Sequence, residues 1–267
     1  MPAARYVPSG QEKGIYIKSR KSRQKHRQIR LAGAKGKDST MATWMAHLRI
    51  ADRLLDIFDG IERTEFIMGN IAPDSGVPCG DRYVPDKNTS HFQIGESDGE
   101  PVFGWRIFAD NYLSPEKIKT YNKKEFSFYL GYLTHLLADE EWKIIYDPLK
   151  EKDSENYKKD KNATVWKWKK DWYDLDHLFT RDNPDFRAFE IYKNAGEFKN
   201  TFLDFFSETA FDERRAFIVD FYSHIHDDLD REYVWLTEET MREYIETAVG
   251  FIKEKTTEYR LFEVCED

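Results

Sequence analysis

Two residues four positions apart are the clearest candidates for metal chemistry. His135 and Asp139 fall in the stretch FYLGYLTHLLADEEW, whose apolar period is typical of a helix. Side chains four apart lie one turn apart on the same helix face, so the imidazole and the carboxylate can bind one ion. A buried carboxylate is costly without a partner, and a bound cation removes that cost. A structural hydrogen bond between the two side chains explains the same spacing.

Three more potential ligands precede this pair. His47 lies within an apolar stripe of helical period, whereas Asp74 and His91 lie between that stripe and His135. Imidazole nitrogens together with carboxylate oxygens suit Zn²⁺ or another divalent transition metal. Each histidine alone is more often a core residue than a ligand. Their joint placement favours a shared metal centre.

The other histidines carry less weight. His224 and His226 are two apart, which on a helix turns their side chains about 200° from each other, so we expect surface residues. His177 follows an acidic run in which Asp171 or Asp174 could complete a metal site. A solvated helix face explains those charges equally well.

The elements that position these residues are predicted to be helices. Ser114 and Pro115 form a good helix start, with a serine cap and a proline at the first helical position, and this short helix should end near Asn122. No convincing strand pattern is present. The sequence therefore predicts an all-α, single multi-helix domain. The other predicted helices are Trp44 to Phe58, Lys124 to Tyr146, Val165 to Phe179, Pro184 to Ala195, Thr209 to Leu229 and Thr237 to Lys255.

Two segments interrupt this pattern. Ile71 to Gly104 contains four of the nine prolines and five of the 14 glycines, and we expect a long irregular loop that helps to build the site. Asp147 to Ala163 is highly charged, and we expect a surface connection or a mobile flap.

Charge divides the chain into two parts. Residues 1–40 contain 11 of the 41 Lys and Arg but only Glu12 and Asp38 of the 49 acidic residues, so we predict a basic, disordered extension. This tail could bind nucleic acid or an acidic membrane surface, although a solvated extension, or translation from Met41, is favoured. Of the whole chain, 40% is hydrophobic and 15% aromatic, which is enough for a substantial core. Residues 41–267 form the predicted helical domain.

Composition also bears on location. No apolar run approaches the roughly 18 residues that a membrane span needs, and no signal-peptide pattern follows the first charges. Cys79 and Cys265 cannot make a disulfide framework and form no thiolate motif. We therefore predict a cytoplasmic protein.

Four motifs in a fixed order carry a family resemblance: MATWMAHLRIAD, FIMGNIAPDSGVP, SHF and FYLGYLTHLLADEEW. In order and spacing they resemble the zinc-dependent phospholipase C family, and in particular its intracellular bacterial branch of phospholipase C/D-domain hydrolases. The similarity is expected to extend from Met41 to near Glu243.

The resemblance implies an all-helical fold, shared in outline with the zinc nucleases, and metal-assisted attack of water on a phosphodiester. It implies that His47, His91, His135 and Asp139 bind one or two Zn²⁺, or other divalent transition metals, with Asp139 able to bridge. Asp74 would orient or deprotonate the water. Two adjacent divalent ions can lower the pKa of that water and neutralise charge on the phosphate, so no protein nucleophile is needed.

The chain departs from the secreted members of that family. They use an N-terminal tryptophan amine as a ligand, whereas Trp44 is internal, and Ile145 stands where they have a further histidine. Their downstream HxxxE pair is also missing from this sequence. The expected centre is therefore reduced to one or two ions.

Three functions remain open from the sequence. The first is a phosphoesterase acting on a phospholipid headgroup, a nucleotide or a smaller phosphate ester, and Trp44, Phe92, Tyr132 and Trp142 would supply an apolar rim for lipid unless they are core residues. The second is a non-catalytic helical metal-binding module. The third, a zinc nuclease, is disfavoured because residues 41–267 carry a net charge of −17.

Overall fold

A set of α-helices accompanied by two small β-hairpins makes up the computed structural model, which describes residues 41–80, 82–97, 100–224 and 228–263. The predicted tail, residues 1–40, lies outside this range. No helix within the described residues is long and apolar enough to cross a membrane. The helices are α1 Trp44–Leu54, α2 Arg63–Ile71, α3 Lys87–Ser90, α4 Trp105–Tyr112, α5 Pro115–Ile118, α6 Lys123–Glu141, α7 Lys143–Lys152, α8 Ser154–Lys159, α9 Lys161–Asp182, α10 Arg187–Lys193, α11 Ala210–Tyr222 and α12 Glu238–Glu258.

Helix α6 is the centre of the fold. It starts at a capping box in which Asn122 Oδ1 accepts from the backbone N–H groups of Lys124 and Glu125, and Glu125 accepts from the backbone of Asn122. Every residue from Phe126 to Asp139 is buried. A helix buried on all sides must be surrounded by other elements, and α2, α4 and α12 pack around it.

Two glycines allow α2 and α6 to pack unusually closely. A Cβ atom on Gly69 would lie 2.1 Å from the carbonyl oxygen of Phe128, and one on Gly131 would lie 2.1 Å from the carbonyl oxygen of Phe66. Neither backbone oxygen can move away without shifting its helix. The spacing of α2 and α6 therefore depends on glycine at both positions.

Replacing Gly131 by alanine is expected to lower the free energy of unfolding by at least about 2 kcal/mol, because the added methyl overpacks a backbone contact. Gly250→Ala on α12 is the matched control: a Cβ there meets nothing within 4 Å, so the change should be neutral or stabilising by up to about 1 kcal/mol. Urea unfolding of both variants checks this. Equal stability of the two alanine variants would contradict the close approach.

The segment from Ile71 to Gly104 is less irregular than the sequence predicts. It holds a 3₁₀ turn, Ala72–Asp74, then hairpin β1 Val77–Cys79 with β2 Arg82–Val84, then α3, then hairpin β3 Gln93–Ser97 with β4 Glu100–Phe103. Both pairs are antiparallel, with Val77 opposite Val84 and Gln93 opposite Phe103. The sequence analysis predicted no strands, and that prediction is wrong for this segment. Strands of three to five residues are too short to show a period.

The charged stretch Asp147 to Ala163, predicted as a surface connection or a mobile flap, is largely exposed and helical. Its residues form most of α7, all of α8 and the first turn of α9. Asp153 holds this region in place, since it accepts from the indole N–H of Trp168 at 3.2 Å and from the Asn156 amide at 2.6 Å. The polar composition of this stretch did not predict these contacts, because they form only in the folded chain.

The predicted helix boundaries vary in accuracy. Ser114 caps α5 as expected, but that helix ends at Ile118, and the long helix predicted to reach Tyr146 divides near Trp142 into α6 and α7. Helices α9, α10 and α12 occur where periodicity places them, whereas α11 ends at Tyr222, before the predicted end at Leu229. The predicted all-α, multi-helix fold is confirmed, with two small hairpins added.

Candidate metal centre

His47 reaches the centre of the molecule from α1. Thr43 caps this helix through its side chain, which accepts from the backbone N–H of Ala46, and the N–H of His47 donates to the Thr43 carbonyl at 3.0 Å. The His47 side chain is fully buried and stacks on the ring of His135, with ring centroids 3.7 Å apart and planes 8° apart.

His135 and Asp139 lie one turn apart on α6, as predicted. His135 Nε2 is 3.3 Å from Asp139 Oδ2, and His47 Nε2 is 3.3 Å from Asp139 Oδ1. The backbone N–H of Ala42 also donates to Asp139 Oδ1 at 3.0 Å. The two oxygens of Asp139 therefore face different partners.

Asp74 and His91 reach the same place from the segment between α2 and α4. Asp74 ends the 3₁₀ turn after α2, and His91 is the C-cap of α3. His91 Nε2 lies 3.5 Å from Asp74 Oδ1, 3.6 Å from Asp139 Oδ2 and 3.3 Å from His135 Nε2. All five residues singled out in the sequence thus lie in one cluster.

The orientation of the imidazoles suits metal binding. His135 Nδ1 lies 2.7 Å from the carbonyl oxygen of Asn70, and because that oxygen can only accept, Nδ1 carries the proton and Nε2 keeps its lone pair. His91 Nδ1 is likewise held by the Ser90 hydroxyl at 2.9 Å, which leaves Nε2 directed into the cluster.

Unsatisfied buried atoms indicate that a cation belongs in this cluster. Among the described residues, neither ring nitrogen of His47 nor Oδ2 of Asp139 has a hydrogen-bond partner. Such groups are costly to bury unless an ion binds them. Zinc held tetrahedrally at 2.0 to 2.2 Å needs donor atoms about 3.4 Å apart, and five donor pairs of the cluster, which are 3.3 to 3.6 Å apart, match that edge.

The donor atoms form two overlapping groups. His47, His135 and Asp139 offer ligand atoms that lie within 4.8 Å of one another, and so do Asp74, His91 and His135. His135 belongs to both groups. The residues present therefore fit a centre of one or two ions, and Asp74 belongs to one of the two groups together with two predicted ligands.

Electrostatics favour the metal-binding protonation state at four of the five residues, His47, His91, Asp139 and Asp74. Burial lowers the pKa of His47 and of His91, so both rings are neutral near pH 7. Burial alone would raise the pKa of Asp139, but His135 and His47 outweigh it and hold that pKa below its usual range. For Asp74, Lys87 and the nearby imidazoles likewise overcome burial and keep its pKa well below normal. Neutral imidazoles and ionised carboxylates are the forms that bind divalent metals.

Asp176 was missed by the sequence analysis. This buried residue of α9 accepts from the Thr43 hydroxyl at 2.9 Å and from the Tyr222 hydroxyl at 2.7 Å, and Tyr222 accepts from the backbone N–H of Met45 at 3.1 Å. The network fixes the start of α1, four residues before His47. No local spacing in the sequence connects these residues. The available signal for the network was the position of Asp176 beside the apolar stripe of α9.

Asp176 should also make stability depend on pH. Burial raises its pKa from 3.8 to about 7, so the folded protein holds this proton more tightly than the unfolded chain. The stabilisation is fully present below about pH 4 and is lost as the pH rises through about 7. It amounts to at most about 4 kcal/mol.

Urea unfolding of metal-free protein from pH 4 to pH 8 tests this expectation. The difference in unfolding free energy between wild type and Asp176→Asn isolates the residue, because the buried histidines are common to both. As the pH falls, the free energy of unfolding of the wild type should rise relative to that of Asp176→Asn. A difference independent of pH would show that Asp176 stays ionised.

The residues that the sequence left open join neither candidate metal group, as far as the structure describes them. Asp171 and His177 are buried, so a solvated face does not describe them; Asp171 pairs with Arg231 at 2.8 Å. Neither joins a candidate metal group within the described part of the chain. His224 follows the end of α11, and His226 lies outside the described residues. Tyr132 and Trp142 of the supposed lipid rim are fully buried core residues, and Trp44 and Phe92 are half-buried.

A comparison with family models matches the part of the chain that carries the cluster. The model of zinc dependent phospholipase C covers residues 46–140, which includes His47, Asp74, His91, His135 and Asp139. Over these residues the chain is similar to the zinc dependent phospholipase C family. The resemblance drawn from the four motifs is confirmed. No curated protein and no solved structure matches the chain.

The match to zinc dependent phospholipase C ends at residue 140, so the expected extension to Glu243 is not covered by it. Ile145, at the position of a further histidine in the secreted enzymes, is buried and offers no ligand atom. The family and the cluster together support a metal-dependent hydrolase domain whose buried His and Asp residues are compatible with zinc.

Proposed function

We propose that this protein hydrolyses phosphoesters or phosphodiesters, in the manner of phospholipase C, with water activated at a centre of one or two zinc ions. The observation that carries the proposal is the buried cluster of three imidazoles and two carboxylates, with its unpartnered His47 and Asp139 atoms. The substrate is a phospholipid headgroup or a smaller phosphate ester, and the action is intracellular. Nucleic acid is disfavoured as a substrate by the negative charge of residues 41–267.

His47, His91, His135 and Asp139 would hold the metal, and Asp139 can contribute one oxygen to each side of the cluster. Bound zinc supplies Lewis acidity and lowers the pKa of water. Asp74 has the ionised carboxylate and the position needed to orient the attacking water and to accept its proton. The carbonyl of Asn70 keeps His135 in the tautomer that the site needs.

A non-catalytic metal-binding module is the second candidate, and burial favours it. The side chains of His47, His135 and Asp139 are fully buried, and that of Asp74 is 10% exposed, so the access of substrate is narrow. A structural ion needs no access at all.

One experiment separates the two functions. The protein is loaded with zinc, its metal content is measured by mass spectrometry, and hydrolysis of bis-p-nitrophenyl phosphate is followed before and after treatment with a chelator. Hydrolysis that disappears with the chelator and returns with zinc supports the enzyme. A zinc-loaded protein that is folded but inert would leave the non-catalytic module.

A further inference from the structure

Lys87 lies at the edge of the cluster on the same helical turn as a predicted ligand. It is the first residue of α3, and the backbone N–H of His91 donates to its carbonyl at 2.8 Å. Its ammonium donates to Asp74 Oδ1 at 3.3 Å. One short turn therefore presents both an imidazole and a cation to Asp74.

The exposure of Lys87 distinguishes it from the rest of the site. Its side chain is 46% exposed, whereas the three histidines and Asp139 are buried. In the part of the chain that the structure describes, it is the single Lys or Arg within 4.0 Å of either carboxylate of the cluster. The ammonium thus marks the side from which a solvent-borne molecule reaches Asp74.

An exposed ion pair adds little to stability, so stability alone does not explain this placement. The attacking water, held by Asp74 in the proposed function, would compete with the ammonium for the same oxygen. Lysine is flexible, keeps its charge near pH 7 and is a common ligand for phosphate. An ammonium released from Asp74 would face whatever anion enters the site.

We propose that Lys87 binds the anionic oxygens of the substrate's phosphate group and so selects negatively charged esters. This inference rests on the proposed function, because it assigns a substrate-binding residue to that site. The selected chemistry is a phosphoryl oxygen that carries a full negative charge, and a neutral phosphotriester lacks it.

Binding of inorganic phosphate to zinc-loaded protein, measured by calorimetry, tests the inference without catalysis. Lys87→Gln should raise the dissociation constant about tenfold, equivalent to about 1.4 kcal/mol at 25 °C, and Lys87→Arg should largely preserve affinity. Lys123→Gln is the matched control, since Lys123 makes a similar exposed pair with Glu62 at 3.4 Å on the first turn of α6. That control should bind phosphate as the wild type does.

Hydrolysis provides the second readout. For Lys87→Gln, kcat/KM should fall about tenfold on anionic bis-p-nitrophenyl phosphate. On the neutral triester diethyl p-nitrophenyl phosphate, kcat/KM should fall less than about twofold. Equal losses on both esters, or unchanged phosphate affinity, would overturn the role of Lys87 even if the wild type is an active hydrolase. If the wild type hydrolyses neither ester but Lys87→Gln still weakens phosphate binding, the anion site stands and the hydrolase proposal fails.

Discussion

Replacing Asp139 by asparagine is expected to remove bound metal and hydrolytic activity together. Asp139 is the residue with an oxygen towards His47 and another towards His135 and His91. An amide keeps the shape and still accepts from Ala42 through its oxygen, but it loses the charge and one oxygen donor. We expect zinc affinity to fall by more than about 100-fold, since altering even residues behind the ligands costs 10- to 100-fold.

Metal content after dialysis and hydrolysis of bis-p-nitrophenyl phosphate, measured on the same samples, check this expectation. Asp171→Asn is the matched control, because Asp171 is equally buried but pairs with Arg231 outside both ligand groups. That variant should keep its zinc even if it is less stable. Full metal content in Asp139→Asn would rule out the role of Asp139 as a ligand.

Replacing Asp74 by asparagine is expected to separate activity from metal binding. Asp74 is the most exposed of the five side chains, and its pKa is held well below the usual range, so it is ionised at neutral pH and can accept a hydrogen bond from the attacking water. Loss of a general base lowers turnover by about 100- to 10,000-fold. Because four other donors remain, zinc content should stay close to that of the wild type.

The measurement is kcat together with zinc stoichiometry for the same preparation of Asp74→Asn. Since Asp74 also belongs to a possible ligand group with His91 and His135, the alternative result is informative. A variant that has lost its zinc as well as its activity would make Asp74 a ligand rather than a base.

The sequence predicts one part of the site better than another, for physical reasons. Helix α6 carries a capping box and a long apolar period. Four-residue spacing alone therefore predicts that His135 and Asp139 lie on the same helix face. The distance between Asp74 and His91 depends instead on a 3₁₀ turn, a hairpin and α3, none of which has a period. Their residue types and their place between the two helices made them candidates, but no pattern in the sequence predicts the distance between them.

Long-range hydrogen bonds were beyond prediction for a different reason. Thr43, Asp176 and Tyr222 meet from three helices, and their separation along the chain leaves no local pattern. The two hairpins were missed because their strands are too short. Interior helices are predictable from hydrophobic period, whereas loop geometry and buried polar networks are consequences of the complete fold.

The two sides of the cluster are built from elements of unequal strength. His47, His135 and Asp139 stand on α1 and α6, which have 11 and 19 residues, whereas Asp74 and His91 are held by a three-residue 3₁₀ turn and the end of a four-residue helix. Short surface elements open locally at much lower free energy than core helices. Local opening should therefore be easier on the Asp74 and His91 side of the cluster than on the side of α1 and α6, and we expect an ion bound there to exchange through that side.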